Sequence, residues 1–411
     1  MPKAVWSVAV ALFVALVACG SCLAQGVVPR VTYVDPIAGF TMDIPEDWSV
    51  QAAEYGLYII SIDAGSGAGI CIRQPVVWFF ESAKPPEAAA RELAEGLSYA
   101  WGSPAEVRAT GNGGEWEVTM STLDELGTLL NRFLFRQERG RNYCVAAFSR
   151  PEIAEQFRED LRTVFATCRL VDRPATQIIK EPKYNAYRMT LPVGWRWEGE
   201  VIWARLVPGY FTWKVQSPDG SLGAFSSPPA LFNVTTPYMP PSQCAQAIVV
   251  PGLRQYLPDV RLEDVHELPR FGAYSAGLLK AFGISDSARV DKAWGDFVGT
   301  AGGRQVRVRA TMASFMIGSS PLLGGRGDWF FVTCGAWAPV EEFAQQYPLC
   351  RAVVSSLVTD QQFRINQMAA VTEVILGKDI KNSDGSKRHV RGMADTRDYW
   401  SGQWISKYIR R

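Results

Sequence analysis

Apolar and polar positions alternate along much of this chain, and twice the alternation ends in the same way. Phe40-Thr41-Met42-Asp43-Ile44-Pro45-Glu46-Asp47-Trp48 and Tyr187-Arg188-Met189-Thr190-Leu191-Pro192-Val193-Gly194-Trp195 both read aromatic, any residue, Met, any residue, aliphatic, Pro, two residues, Trp. Period two predicts a strand with one buried face. The aliphatic residue ends that strand, Pro sets the turn, and Trp is large enough to cap a core. The element therefore reads as scaffold in both places.

The surroundings recur in the same order. "KPPEAAARELAEGLSYAW" (84–101) and "MPPSQCAQAIVVPGLRQYL" (239–257) each put two prolines before a helical pattern, where their missing N–H groups cost nothing. Strand patterns follow in each half: "EWEVTMSTL", "TLLNRFLFRQE" and "NYCVAAFS" in the first, "AYSAGLLKAFG", "ARVDKAWGDFVG", "RQVRVRATMASFMI" and "DWFFVTCGAW" in the second. Each half closes with a Pro and an amphipathic helix. In the first, Phe157, Leu161, Val164, Phe165 and Cys168 share a face; in the second, Tyr347, Arg351, Val354 and Leu357 or Val358 do so less cleanly. The second half carries about 35 extra residues, expected in longer hairpins such as "GSSPLLGGRGDW" (318–329).

This order predicts an α+β chain of two tandem units, 25–172 and 183–359, joined by a linker (173–182) with Pro174 and Pro182 at its ends. A C-terminal helical tail, 360–411, has no match in the first half. The order strand-Pro-turn-Trp, strands, helix, antiparallel strands, helix resembles the PsbP-like (PsbP/Mog-like) family. That resemblance implies a curved antiparallel β-sheet flanked by α-helices in each unit, and proteins that act through contact with other proteins. It is carried by scaffold residues alone, so no site residue and no particular partner follows from it.

Composition changes the picture little. In 411 residues, 42 Lys and Arg stand against 41 Asp and Glu, so no overall field draws the chain to nucleic acid or to a membrane. The first 24 residues are different: Lys3, an apolar run from Ala4 to Ala18 and then small residues predict a signal peptide. Two cleavage patterns compete. "LVAC", ending at Cys19, resembles a lipobox and makes Cys19 a candidate lipidation site; "CLAQ" offers ordinary cleavage after Ala24. Either way the mature chain is expected to be exported, periplasmic or extracellular, with an outer-membrane lipoprotein as the anchored variant. Cleavage after Ala24 leaves Cys71, Cys144, Cys168, Cys244, Cys334 and Cys350, an even set and the candidates for disulfides; lipidation of Cys19 leaves Cys22 as well. Buried small hydrophobes are the other reading of these six. Cys144 and Cys334, each near the end of an aromatic strand, read as equivalent and structural.

Catalytic chemistry is sparse. The two histidines, His266 and His389, lie near no nucleophile motif, and no phosphate loop, dinucleotide fingerprint, nucleophile elbow or zinc-protease helix occurs. No cofactor is expected. Glu115 with Glu117, or Asp124 with Glu125, could serve as an acid–base pair, although exposed acids are common; "GSGAG" (65–69), "RGD" (326–328) and "NVT" (233–235) read as turns and strand ends. The tail is the least ordinary stretch, with ten Lys and Arg against six acids, and with Trp400, Trp404 and Tyr408 at helical spacing. Its candidate contact residues are Arg397, Trp400, Trp404, Lys407, Tyr408, Arg410 and Arg411, and their partner would be another protein or an anionic envelope surface. An aromatic stripe of this kind also serves as a brace against a domain. The expected function is therefore a non-catalytic binding or accessory module of the bacterial envelope. The alternative is an envelope hydrolase that uses carboxylates in an interdomain cleft.

Overall fold

A computed structural model describes residues 28–63, 74–111, 114–124, 127–203, 208–233, 235–281, 288–320, 326–364, 378–381 and 387–390. The chain is α+β and divides into two compact units, one up to Pro174 and one from Ala175 onward. The first runs β1 (Arg30–Asp35), β2 (Phe40–Pro45), β3 (Ser49–Ala52), β4 (Tyr58–Ser61), β5 (Val76–Ser82), α1 (Pro86–Trp101), β6 (Glu106–Ala109), β7 (Trp116–Asp124), β8 (Gly127–Glu138), β9 (Arg141–Ser149), α2 (Pro151–Gln156), α3 (Arg158–Thr167) and β10 (Arg169–Leu170). Its strands form a small sheet, β1-β2-β10, and a large one, β3-β4-β5-β9-β8-β7-β6, with every pair antiparallel.

The second unit runs β11 (Thr176–Lys180), β12 (Tyr187–Pro192), β13 (Arg196–Trp203), β14 (Pro208–Gln216), β15 (Gly223–Ser226), β16 (Ala230–Phe232), α4 (Pro241–Cys244), a π turn (Ala245–Val249), α5 (Val250–Leu253), β17 (Arg261–Glu267), α6 (Pro269–Ala281), β18 (Arg289–Ala301), β19 (Arg304–Ser320), β20 (Arg326–Pro339), α7 (Phe343–Ser355) and β21 (Val358–Thr359). A separate hairpin, β22 (Lys378–Lys381) with β23 (Lys387–Val390), follows. The strand order is β11-β12-β21 in the small sheet and β13-β14-β15-β20-β19-β18-β17 in the large one. Apart from β16, which pairs with β20, this is the order of the first unit.

The repeated Pro-Trp element has the same local structure twice. The Trp48 amide donates to the Pro45 carbonyl at 3.0 Å, and the Trp195 amide to the Pro192 carbonyl at 3.2 Å. Both indoles are buried, and Trp48 packs near Phe157 of the closing helical segment. Two further correspondences were not anticipated. The turn into β2 opens with Asp35-Pro36 and the turn into β12 with Glu181-Pro182. In each, the buried carboxylate accepts backbone amides of its own turn: Ala38 at 2.7 Å for Asp35, and Lys183, Tyr184 and Ala186 at 2.9, 2.7 and 3.3 Å for Glu181. At the end of each closing helix a hydroxyl takes an amide of the second strand, Asp43 to Thr167 Oγ1 at 2.9 Å and Thr190 to Ser356 Oγ at 3.1 Å.

Several expectations need correction. The stretch expected as a linker holds β11, paired with β12 from Thr176–Pro192 to Lys180–Arg188, because Ile178 and Ile179 extend the small sheet. Of "AYSAGLLKAFG", Ala273 to Ala281 are helical, not a strand: Pro269 starts α6, and Phe271, Tyr274 and Ser275 bury at helical spacing. The extra residues of the second half are thus β16 and α6 as well as longer hairpins. The tail is not helical throughout, since Lys378–Lys381 and Lys387–Val390 pair as antiparallel strands. In α7 the fully buried residues include Cys350, Ala352 and Val353 rather than Tyr347, Arg351 and Val354, and Tyr347 stacks on Phe343 at 4.6 Å along the flank.

Cys144 and Cys334 are not equivalent. Cys144 lies in the cluster beneath α1 with Ala89, Ala90, Phe133, Phe135 and Ala146. On β20 the residues in the cluster beneath α4 and α5 are Trp329, Phe331 and Trp337, so Cys334, of the other parity, faces the opposite side. The aromatic context suggested an alignment that is one residue out of register, and one residue reverses the face.

Candidate functional site

Helix α1 forms because Pro85 and Pro86 begin it without wasting donors, Glu87 sits in its first turn and Gly102, at φ 65°, ends it. Ala89, Ala90 and Ala94 are small enough to let the backbone come down over β6, β7 and β8. Beside these alanines the helix presents Leu93, Gly96 and Leu97. Together with Phe80, Ser82 and Phe135 these line an open groove of about 340 Å³. A Cβ on Gly96 would have nothing within 4 Å, so the groove is open at its middle. Lys84 and Glu92 form an ion pair at its lip. Two large aromatics stand in solvent at the end of the helix, Tyr99 at 93% exposure and Trp101 at 53%. An apolar trough with exposed rings nearby is suited to holding a side chain of another molecule.

The corresponding flank of the second unit is filled. Before α4 the chain makes β16, and Phe232, Tyr238 and Met239 pack against the core beneath the helix. Phe232 stacks on Trp329 at 4.0 Å, and the Tyr238 hydroxyl donates to Asp291 Oδ2 at 2.8 Å, itself paired with Arg289. The π turn lies where Pro251, one residue into α5, lacks the N–H that an α-helix would use. These groups satisfy one another.

Of the acids singled out as catalytic pairs, Glu115 and Glu117 are held by arginines, whereas Glu125 lies outside the described residues. Glu117 is buried on β7 and accepts from Arg108 at 2.5 Å and Arg132 at 2.6 Å, while Glu115 pairs with Arg136 at 2.7 Å. Burial alone would raise the Glu117 carboxyl, but the hydrogen bonds and charges of Arg108 and Arg132 overcome it and hold it below the usual carboxylate range. Arg132 also lies over the Phe165 ring at 4.5 Å. This is a brace between the sheet and α3, and its carboxylate carries no proton at neutral pH.

No disulfide joins Cys144, Cys168, Cys244, Cys334 and Cys350, and Cys71 lies outside the described residues. Burial pushes Cys244 up to about 11 and Cys168 and Cys350 up to about 12, and it raises Cys144 and Cys334 too. Thiols so placed are not nucleophiles at neutral pH. Among the described residues no three His, Cys, Asp or Glu converge as metal ligands, and no helix is long and apolar enough to cross a membrane. His266 lies on β17 opposite Trp294. Cys19 and the tail residues Arg397, Trp400, Trp404, Lys407, Tyr408, Arg410 and Arg411 lie outside the described residues.

The groove was not foreseen. Its signal was Gly96 and the late Tyr99 and Trp101 in a helix otherwise built from Ala, Leu and Glu. No family model matches the chain, and no curated protein does. Similar solved structures include cyanobacterial PsbP from Synechocystis (13% identity, 37% of this chain and 98% of that one, TM-score 0.27). LpqN, involved in cell envelope biogenesis of Mycobacterium tuberculosis, is similar at 10% identity over 35% of this chain and 91% of that one, TM-score 0.25. The immunity protein TplEi of Pseudomonas aeruginosa, complexed with a peptide, is similar at 13% identity over 80% of this chain and 97% of that one, TM-score 0.22. Likeness at this level transfers no functional residue.

Proposed function

We propose that the chain is an exported, non-catalytic binding or accessory module of the bacterial envelope, built from two PsbP-like units and acting through protein or surface contacts. The observation that carries this reading is the contrast between an open apolar groove beside α1 and acids that are locked to arginines. Export rests on the pattern of residues 1–24. A hydrolase would need a carboxyl that keeps its proton near neutral pH, and Glu117 is held in the other direction.

Gly96→Trp tests the reading, because a Cβ there meets nothing within 4 Å and the ring has open space in the groove. Affinity capture from native envelope should lose its bound protein with this variant while the melting temperature stays the same. Identical capture by both forms would refute the groove as the contact. The basic tail adds an expected surface contact: removal of residues 397–411 should reduce retention on anionic phosphatidylglycerol vesicles, and retention by the full chain should fall as salt shortens the Debye length below about 8 Å.

A further inference from the structure

The large sheet of the first unit has an edge that stops short. β6 covers β7 only from Trp116 to Thr119, whereas β7 continues to Asp124 with β8 as its sole partner among the described residues. Asp124 pairs with Gly127, the last pair of the hairpin ladder with two residues between them in sequence, and such a closing pair exchanges its hydrogen bonds. The alternation then turns the backbone N–H and C=O of Leu123 and Ser121 outward. Leu123 is 76% exposed, large and apolar.

The second unit has the same edge and closes it. Ala301 pairs with Arg304 across a two-residue turn, which turns Thr300 outward beyond the end of β17. There the Thr300 amide donates to Asp259 Oδ1 at 2.8 Å and its hydroxyl to Oδ2 at 2.6 Å. Leu257 and Val260 come within 3.4 Å of where a Cβ on Gly299 would sit, so the chain before β17 covers the edge. Among the described residues no side chain caps Leu123 in this way. α1 also ends at this end of the sheet, since the Ala105 amide bonds to Ser98 Oγ just before β6 begins, and that last turn carries Tyr99 and Trp101.

We infer that the Ser121–Leu123 edge of β7 is a strand-addition site for an extended segment of a partner polypeptide. The reason lies in backbone chemistry: two outward rungs offer donors and acceptors two residues apart, which an extended peptide matches. The side chain beside Leu123 on that segment would be aliphatic or aromatic. A second copy of this chain is the poorer occupant, because two rungs bury far less than the roughly 1,200 Å² of a stable protein interface. This inference rests on the reading of the chain as a binding module, but not on the groove.

The probe is a phage-displayed library of random twelve-residue peptides selected on the full chain. Selected peptides should slow hydrogen exchange in fragments covering 119–123. Leu123→Pro, which removes an outward N–H, should weaken them at least about tenfold. Leu123→Glu keeps the main chain intact at an exposed position and should weaken them too, so a misfolded proline variant would not decide the matter. Gly96→Trp should leave peptide binding unchanged, which separates this edge from the groove. No enriched peptide, protection elsewhere, peptides indifferent to both Leu123 variants, or self-association that protects 119–123 without peptide would each overturn the proposal.

Discussion

The two units share a strand order, a Pro-Trp corner, a buried acid in the first turn and a hydroxyl that ends the closing helix, yet they finish their surfaces differently. The first leaves a groove beside α1, two exposed aromatics and an uncapped β7 edge. The second fills the flank with Phe232, Tyr238 and Trp329, and caps the edge with Asp259. The core keeps its plan because buried strand parity and corner geometry leave few alternatives. The edges are free to diverge, and that freedom gives the first unit its candidate contact surfaces.

The shared plan can be broken most strongly at the corner. Trp48→Ala and Trp195→Ala should each cost about 3–5 kcal/mol, the range for deleting a buried indole. Trp48, at 2% exposure against 8% for Trp195, should lose more. Hydrogen exchange followed separately in each unit would measure it. A large loss in one unit and none in the other would mean that the two corners are not doing the same job.

A smaller effect sharpens the difference. Gly223 opens β15 and Val76 opens β5, and they face Trp337 and Phe148 across the sheet. A Cβ on Gly223 would collide with the Trp337 ring and with the Val215 carbonyl oxygen, so Gly223→Val should destabilise the second unit by about 1–3 kcal/mol through overpacking. The first unit carries valine there, opposite the smaller ring of Phe148. If Gly223→Val melts like the wild type, Trp337 can move and its fit is not what the glycine serves.

Glu117 tests the electrostatic brace of the first unit. Its folded pKa lies below the unfolded value of about 4.3, so its contribution is present above that value and is lost as pH falls through the folded one. Because Arg108 and Arg132 are largely exposed, the amount is about 1 kcal/mol. Glu117→Gln should therefore lower the stability of the first unit at pH 7 and flatten its decline in acid. An unchanged acid slope would assign the decline to other carboxylates.

Some of this was legible in the residues. The duplicated strand-Pro-Trp element, the Pro-Pro helix starts and the closing helices announced themselves because each is a local pattern with a local cause. Asp35-Pro36 and Glu181-Pro182 are just as visible in the residues, but an acid before proline looks like any surface turn until its burial is known. "AYSAGLLKAFG" misled because Ala, Gly and Leu suit a buried strand or a helix, and only Pro269 favoured the helix. The register of Cys144 against Cys334 was not recoverable from aromatic context, as parity depends on pairing across four strands. The groove and the free edge are absences of covering chain, which no sequence motif encodes.

The smallest expected effect lies at the turn between β8 and β9 of the first unit. Arg139 and Gly140 join β8 to β9 in two residues, with φ of 52° and 73°, and Glu138 pairs with Arg141 behind them. Such a turn asks for positive φ twice, which Asn-Gly supplies with less strain than Arg-Gly. Against this, Arg139 pairs with Asp172 at 3.0 Å, but both side chains are largely exposed, and such a pair is worth about 0–1 kcal/mol. Relief of the backbone contributes a similar amount, about 0.4–1 kcal/mol. Arg139→Asn should accordingly stabilise the first unit by a few tenths, seen as a small rise in its urea midpoint, while the second unit, with its longer β19–β20 connection, stays unchanged. A fall in the midpoint would show that the ion pair to Asp172 outweighs the strain, and that this arginine is kept for the contact at the end of the first unit.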